Sequence, residues 1–165
     1  IKVFTSEEHF NMKDLGIYPF KVSHDAKEPV GYCLYYKNIK ISILTDTGWV
    51  NDSIKDHIKG SSLYLIESNH DVEMLKVGKY PYYLKRRIMS EKGHLSNEDA
   101  GKLITEIARG KGEIILLAHL SKENNFPLLA YETVKNIAVD AGIDVNDDIN
   151  LDLTFREKAT KVYNF

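Results

Sequence analysis

Tyr64-Leu65-Ile66 closes an uninterrupted apolar run that breaks off at Glu67-Ser68-Asn69-His70-Asp71, which puts two carboxylates, an amide and an imidazole within five positions. A short apolar run that stops this abruptly is a strand fixed by a sheet, with its polar end left in a loop. Two later segments repeat the arrangement. Gly93-His94-Leu95-Ser96-Asn97 opens a helix, and Ile114-Ile115-Leu116-Leu117-Ala118, apolar throughout, ends on His119. The chain is therefore predicted to fold around a buried sheet whose strand ends carry the ionisable side chains.

The remaining elements fit between these points. The opening Ile1-Lys2-Val3-Phe4-Thr5 reads as a strand, and its first residue is not methionine, which fits a fragment. Residues 18–22 form a strand that ends at Ser23-His24-Asp25. Residues 31–36 and 39–44 form an antiparallel hairpin across Lys37-Asn38, because Ile39, Ile41 and Ile43 alternate with polar positions. The turn Thr45-Asp46-Thr47-Gly48 follows. Helices are expected over residues 50–58, started by Asn51 or Asp52, through Met74 and Leu75, and from Pro81 through Lys85-Arg86-Arg87. Ser96-Asn97-Glu98-Asp99 resembles a capping box for a helix with Ala100, Leu103, Ile104 and Ile107 on one stripe, and Pro127 starts a long helix to about Ala141. The tail offers no recognisable chemistry and is read as one or two strands, around residues 151–155 and 161–165.

Composition excludes several classes. With 165 residues and 43% hydrophobic side chains, one domain with a real core is expected rather than disorder. Lys and Arg number 22 against 24 Asp and Glu, so no global basic field serves nucleic acid and an anionic substrate must be held locally. The single cysteine, Cys33, lies in an apolar strand-like run; it excludes an intrachain disulfide, fits a reducing compartment, and is expected to be buried and inert. No apolar run approaches the roughly 18 residues of a membrane span, and the opening lacks a signal-peptide pattern, so a soluble cytoplasmic protein without membrane contact is expected.

His24, Asp46, Glu67 with His70, His94 and His119 all sit at strand ends or a helix start. Positions scattered along a chain can converge there, and imidazoles with a carboxylate suit zinc, manganese or iron. Each position also has a purely structural reading. Asp46 can form an Asx turn, Glu67 a solvated strand terminus, Asp71 a helix cap, and Lys85-Arg86-Arg87 a wet helical face. His9 and His57 are left as ordinary loop residues. No compact ligand motif of the His-x-x-x-His kind is present, so spacing alone does not define a metal site.

Taken together, Ser23-His24-Asp25-Ala26-x-Glu28-Pro29, Thr45-Asp46-Thr47-Gly48, Glu67-Ser68-Asn69-His70-Asp71, Gly93-His94-Leu95-Ser96-Asn97 and Ala118-His119-Leu120-Ser121 resemble the later motifs of metallo-β-lactamase-fold hydrolases. The order agrees, and the match is closest to the YycJ/WalJ-type branch. The resemblance implies an α/β layered fold, with residues 1–165 forming a single partial domain, the C-terminal portion of an αββα sandwich. It implies that His24 and His119 are metal ligands, that Asp46 bridges two metals, and that His94 stands near the substrate phosphate to assist the departing oxygen. Glu67 and His70 are placed in the catalytic pocket, where orienting His94 is one role open to them. Arg86 and Arg87, near Tyr82 and Tyr83, are assigned to binding the nucleic-acid backbone.

The function so implied is a metal-dependent phosphodiesterase or exonuclease acting on nucleic acid through metal-bound hydroxide, with two divalent ions, zinc or manganese, as cofactors. The family's opening His-x-His-x-Asp-His cluster is absent. Half of the ligands are then missing from this chain, and a complementing N-terminal chain or a homo-oligomer is the partner expected. Hydrolysis of a small phosphodiester, thioester or lactone, and a non-catalytic fragment, are the alternatives.

Overall fold

The computed structural model describes residues 3–165. Among these residues seven strands form one sheet in chain order: β1 (Phe10–Met12), β2 (Leu15–Lys21), β3 (Val30–Tyr36), β4 (Ile39–Leu44), β5 (Leu63–Glu67), β6 (Glu113–Ala118) and β7 (Ile149–Leu153). The first four are antiparallel meanders, whereas β4 to β7 run parallel. Parallel neighbours need crossovers. Helix α1 (Asp52–Ile58) links β4 to β5, α2 (Val72–Val77), α3 (Tyr82–Ile88) and α4 (Asn97–Ile107) link β5 to β6, and α5 (Pro127–Asp140) links β6 to β7.

Local chemistry explains the helix starts. The side chains of Asn51, Asp71 and Ser96 each accept a hydrogen bond from a backbone N–H three residues on, satisfying donors that the first turn leaves open, and Pro127 occupies the first turn of α5. The stripe Ala100, Leu103, Ile104 and Ile107 is buried as expected.

Because the strand order never reverses, right-handed crossovers put the helices on one face of the sheet. The core lies there: Phe20, Cys33, Leu44, Tyr64, Ile66, Ile115, Leu117 and Leu151 meet Ile54, Ile58, Leu103, Ile104 and Val134. Cys33 is buried and free. The other face carries two apolar rows in register, Ile17-Leu34-Ile41-Leu63-Ile114 and Pro19-Tyr32-Ile43-Leu65-Leu116. None of these side chains belongs to the helix-covered core.

Three expectations need correction. Ile1 and Lys2 lie outside the described residues, and Val3–Thr5 form no strand; Phe4 instead stacks on Phe10 at 5.3 Å, and the edge strand is the unforeseen β1, which makes a hairpin with β2. The tail holds one strand, β7, two residues earlier than expected. Residues 161–165 add none, because Lys161 Nζ and Tyr163 Oη both bind the side chain of Asp152 at 2.9 Å in place of a backbone ladder. No helix of the described residues is long and apolar enough to cross a membrane.

Candidate metal centre

Strands β2, β4, β5, β6 and β7 point the same way, so their C-terminal ends share one rim of the sheet. His24 lies just beyond β2, Asp46 just beyond β4, Glu67 ends β5, and His119 follows β6 directly. His94 reaches the same rim from the loop between α3 and α4. The shared polarity explains how five positions spread over the sequence meet.

Three imidazoles stand in a row, with ring centroids 5.0 Å apart between His24 and His94 and 5.3 Å between His94 and His119. Asp46 faces all three: its Oδ1 is 3.9 Å from His24 Nε2, 3.9 Å from His94 Nδ1 and 3.6 Å from His119 Nδ1. Donor atoms of Asp46, Glu67, His94 and His119 all lie within 4.8 Å of one another, a grouping able to hold a metal ion.

Glu67 has a different part from Asp46. It is fully buried; its Oε1 accepts from Nδ1 of both His94 and His119 at 2.7 Å, and its Oε2 accepts from the Thr47 N–H at 3.0 Å. Burial pushes its carboxyl up, but the bonds from His119, His94 and Thr47 outweigh burial and hold it below the usual carboxylate range. A carboxylate so engaged is an orienting group. With Nδ1–H donated to Glu67, Nε2 is the nitrogen left with a lone pair on each ring. The same bond raises the His119 imidazole against the opposing effect of burial. His24 follows one rule more: Nδ1 donates to the Gly93 carbonyl at 3.0 Å, leaving Nε2 towards Asp46.

The segment after Glu67 stitches the histidine-bearing loops together. Asn69 donates its N–H to Leu95 O at 2.9 Å, accepts from Ser121 N at 2.7 Å, and donates its Nδ2 to His119 O at 2.9 Å. Ser68, Asn97 and Asn125 form a buried network behind it. Glycines permit the close approach on the other side, where a Cβ on Gly48 would sit 2.6 Å from the Gly93 nitrogen.

A cavity of about 470 Å³ opens over the centre, lined by His24, His94 and His119 with Arg87, Lys122 and Arg156 among its walls. Of the residues expected from sequence, His24, Asp46, Glu67, His94 and His119 are thus brought together. His70 is not. It is 2% exposed, lies outside the cavity lining, and burial pushes its imidazole down to about 4, so it is a neutral residue packed behind the centre. Arg87 reaches the cavity but is bonded to Asp25, whose carboxyl it holds low. Arg86 lies outside that lining, over the Tyr82 ring at 5.9 Å. Sequence reasoning missed Lys122 and Arg156; the signal available for Arg156 was the strand-end rule already applied to the other positions, since it follows β7 as His119 follows β6.

No family model matches the chain. It is 41% identical over 149 residues to the exodeoxyribonuclease YycJ of Bacillus anthracis, covering 90% of this chain and 56% of that protein. It is 40% identical over 166 aligned positions to the exodeoxyribonuclease WalJ of Streptococcus pneumoniae, covering 96% of this chain and 62% of that one. The chain thus spans less than two thirds of the length of these curated relatives. Among solved structures it is similar to the metallo-β-lactamase fold protein YhfI from Bacillus subtilis, with a TM-score of 0.62 and 12% identity, covering 92% of this chain and 50% of the other. Zinc-bound PqqB from Methylobacterium extorquens gives a TM-score of 0.58 and 18% identity over 91% of this chain and 49% of the other.

Proposed function

We infer from two facts, that this chain has the metallo-β-lactamase fold and that it is a homologue of proteins named YycJ and WalJ exodeoxyribonuclease, that it is the C-terminal portion of a metal-dependent hydrolase of phosphodiester bonds in DNA. The observation that carries the reading is the convergence of His24, His94, His119 and Asp46 on one rim, with buried Glu67 fixing two of the rings.

The donor set fits a divalent ion. Imidazole nitrogens with a carboxylate oxygen suit zinc or manganese; Asp46 and His119 belong to the 4.8 Å donor grouping, and His24 Nε2 lies 3.9 Å from Asp46 Oδ1 at its edge. His24, Asp46 and His119 are assigned as ligands of a pair of ions, with the remaining ligands supplied by the rest of the parent protein or by a complementing chain. When bound, such ions lower the pKa of water and neutralise charge on phosphate. The chain's own groups do the rest. Glu67 keeps the His119 and His94 rings in one orientation, and His94, once its Nε2 has taken a second proton from solvent while Nδ1–H stays on Glu67, is placed to give that proton to the departing oxygen. Arg87, Lys122 and Arg156 give the cavity a cationic wall for phosphate. Arg86, off the cavity, is assigned at most to distant backbone contacts. His70 acts on the pocket only by packing.

Two features support a missing portion: the shorter length beside the relatives, and the apolar sheet face that no helix of the described core covers. A buried free cysteine suits a reducing compartment such as the cytoplasm. The test is release of nucleotides from end-labelled DNA by the parent-length protein with added manganese or zinc. Asp46→Ala and His119→Ala should each lower the rate by roughly 100-fold or more. Wild-type rates in either variant overturn the reading.

A further inference from the structure

The wall of the metal-site cavity continues into a second cavity of about 620 Å³, within the roughly 300–1,000 Å³ of small-ligand sites. Ser121, Lys122 and Arg156 line both. A smaller hollow shares His119 with the metal-site cavity and Phe155 with the second one, and Arg156 lines all three. Two rings line it: Phe126 at the head of α5 and Phe155 just past β7. They are 49% and 42% exposed, and neither belongs to the core.

Single exposed apolar side chains are ordinary, but two phenylalanines lining one cavity make a local apolar surface of the kind that binding sites carry, and the surroundings indicate the ligand. Lys122, Arg156 and Lys158 line the cavity against one carboxylate, Glu157. Lys158 Nζ lies 4.1 Å from the Phe155 ring centroid. Arg156 Nη2 donates to Leu120 O at 2.7 Å, which pins the guanidinium at the boundary between the two cavities. Aromatic faces interleaved with cations match a strand that alternates flat bases with phosphates.

We propose that the Phe126–Phe155 cavity is a nucleobase-stacking subsite for a single-stranded DNA end, with the phosphates running past Arg156 and Lys122 towards the histidine row. The proposal rests on the hydrolase reading of the adjoining centre and adds where a terminal base of its substrate is held. A base inside a duplex has both faces stacked on its neighbours, so the subsite takes a terminal base, most readily one freed from pairing. Tyr82 and Tyr83, also strongly exposed, line neither cavity and take no part.

The test reads binding without metal. A single-stranded oligodeoxynucleotide carrying 2-aminopurine at one terminus, each terminus in turn, is titrated with the protein in EDTA. Fluorescence quenching is expected at one end; Phe126→Ala and Phe155→Ala should each weaken binding by about 5- to 100-fold, and Phe126→Trp and Phe155→Trp should restore it. A terminal abasic site should weaken binding to the wild type by a similar factor, and Arg156→Ala should lower the salt slope by about one. Unquenched fluorescence at both ends, unchanged affinity in the alanine variants with folding confirmed by circular dichroism, or equal affinity for the abasic strand overturns the subsite. Hydrolysis of bis(p-nitrophenyl) phosphate with manganese by the parent-length wild type is measured separately. Its absence counts against the hydrolase reading alone.

Discussion

Asp46 and His119 leave β4 and β6, the two strands that flank β5, in the same backbone conformation, each with φ of 55° although neither is glycine. The left-handed region costs an L-residue about 1–2 kcal/mol, a strain that structures tolerate where side-chain chemistry requires it.

The strain predicts a split between stability and binding. Asp46 makes only long contacts of 3.6–3.9 Å with the histidines, so Asp46→Gly should be neutral or stabilising by up to about 1 kcal/mol while metal affinity collapses. His119→Gly relieves the same strain but strips a partner from the buried Glu67 carboxylate, and should destabilise by about 1–3 kcal/mol. Urea denaturation in chelator and calorimetric metal titration measure the two effects. Equal destabilisation by both substitutions would contradict the argument.

Glu67→Gln tests orientation. An amide cannot accept from both imidazoles through one oxygen as a carboxylate does while leaving its NH2 group satisfied beside Thr47. Metal affinity should fall roughly 10- to 100-fold with the fold retained, as read by zinc or manganese titration beside circular dichroism. Unchanged affinity would mean that packing alone holds His94 and His119.

His70 predicts a pH dependence. Its imidazole titrates at about 4 in the folded chain against 6.5 when free. Between those values the unfolded chain binds more protons, so this contribution to stability is lost as pH falls from 6.5 and levels off below about 4, a change on the order of 3 kcal/mol. Glu67, held low, adds an acid-side loss of the same sign, and His119, held high, titrates in the opposite sense. Comparing the pH profile of His70→Gln with wild type in chelator isolates the His70 part. Parallel profiles would rule it out.

Gly93→Ala probes the loop contact. A Cβ there would collide with the carbonyl oxygens of Arg87 and Ile88, and the Gly93 carbonyl is the anchor of His24. Destabilisation of about 1–3 kcal/mol is expected, together with weaker metal binding. Thermal melting and metal titration provide both readouts, and a neutral variant would show that the α3–α4 loop yields without disturbing His24.

The hairpin, the capped helices and the apolar strands were legible because alternation, caps and unbroken apolar runs are local signals. His24, Asp46 and His119 stood out by their position after strands and His94 by its place before a helix cap, but their roles were legible only through the family resemblance. What Glu67 does was legible only in part: the resemblance left orienting His94 open to it, but the same carboxylate could equally have been solvated, and only the parallel pairing of β5 between β4 and β6 buries it between two imidazoles. His70 was placed in the pocket by the family resemblance, whereas the structure buries it outside the cavity lining. The tail looked empty for a similar reason: Phe155 and Arg156 acquire meaning only when β7 joins the same rim.

That common strand polarity divides the molecule into two rims with separate freedoms. The turns at Lys13-Asp14, Lys37-Asn38, Gly60, Gly110 and Gly142 all gather at the rim opposite the histidines. Loop grafts, reporter fusions or surface attachment at those turns can be made without touching the chemistry. Every change of specificity, by contrast, must be written into the loops that follow β2, β4, β5, β6 and β7.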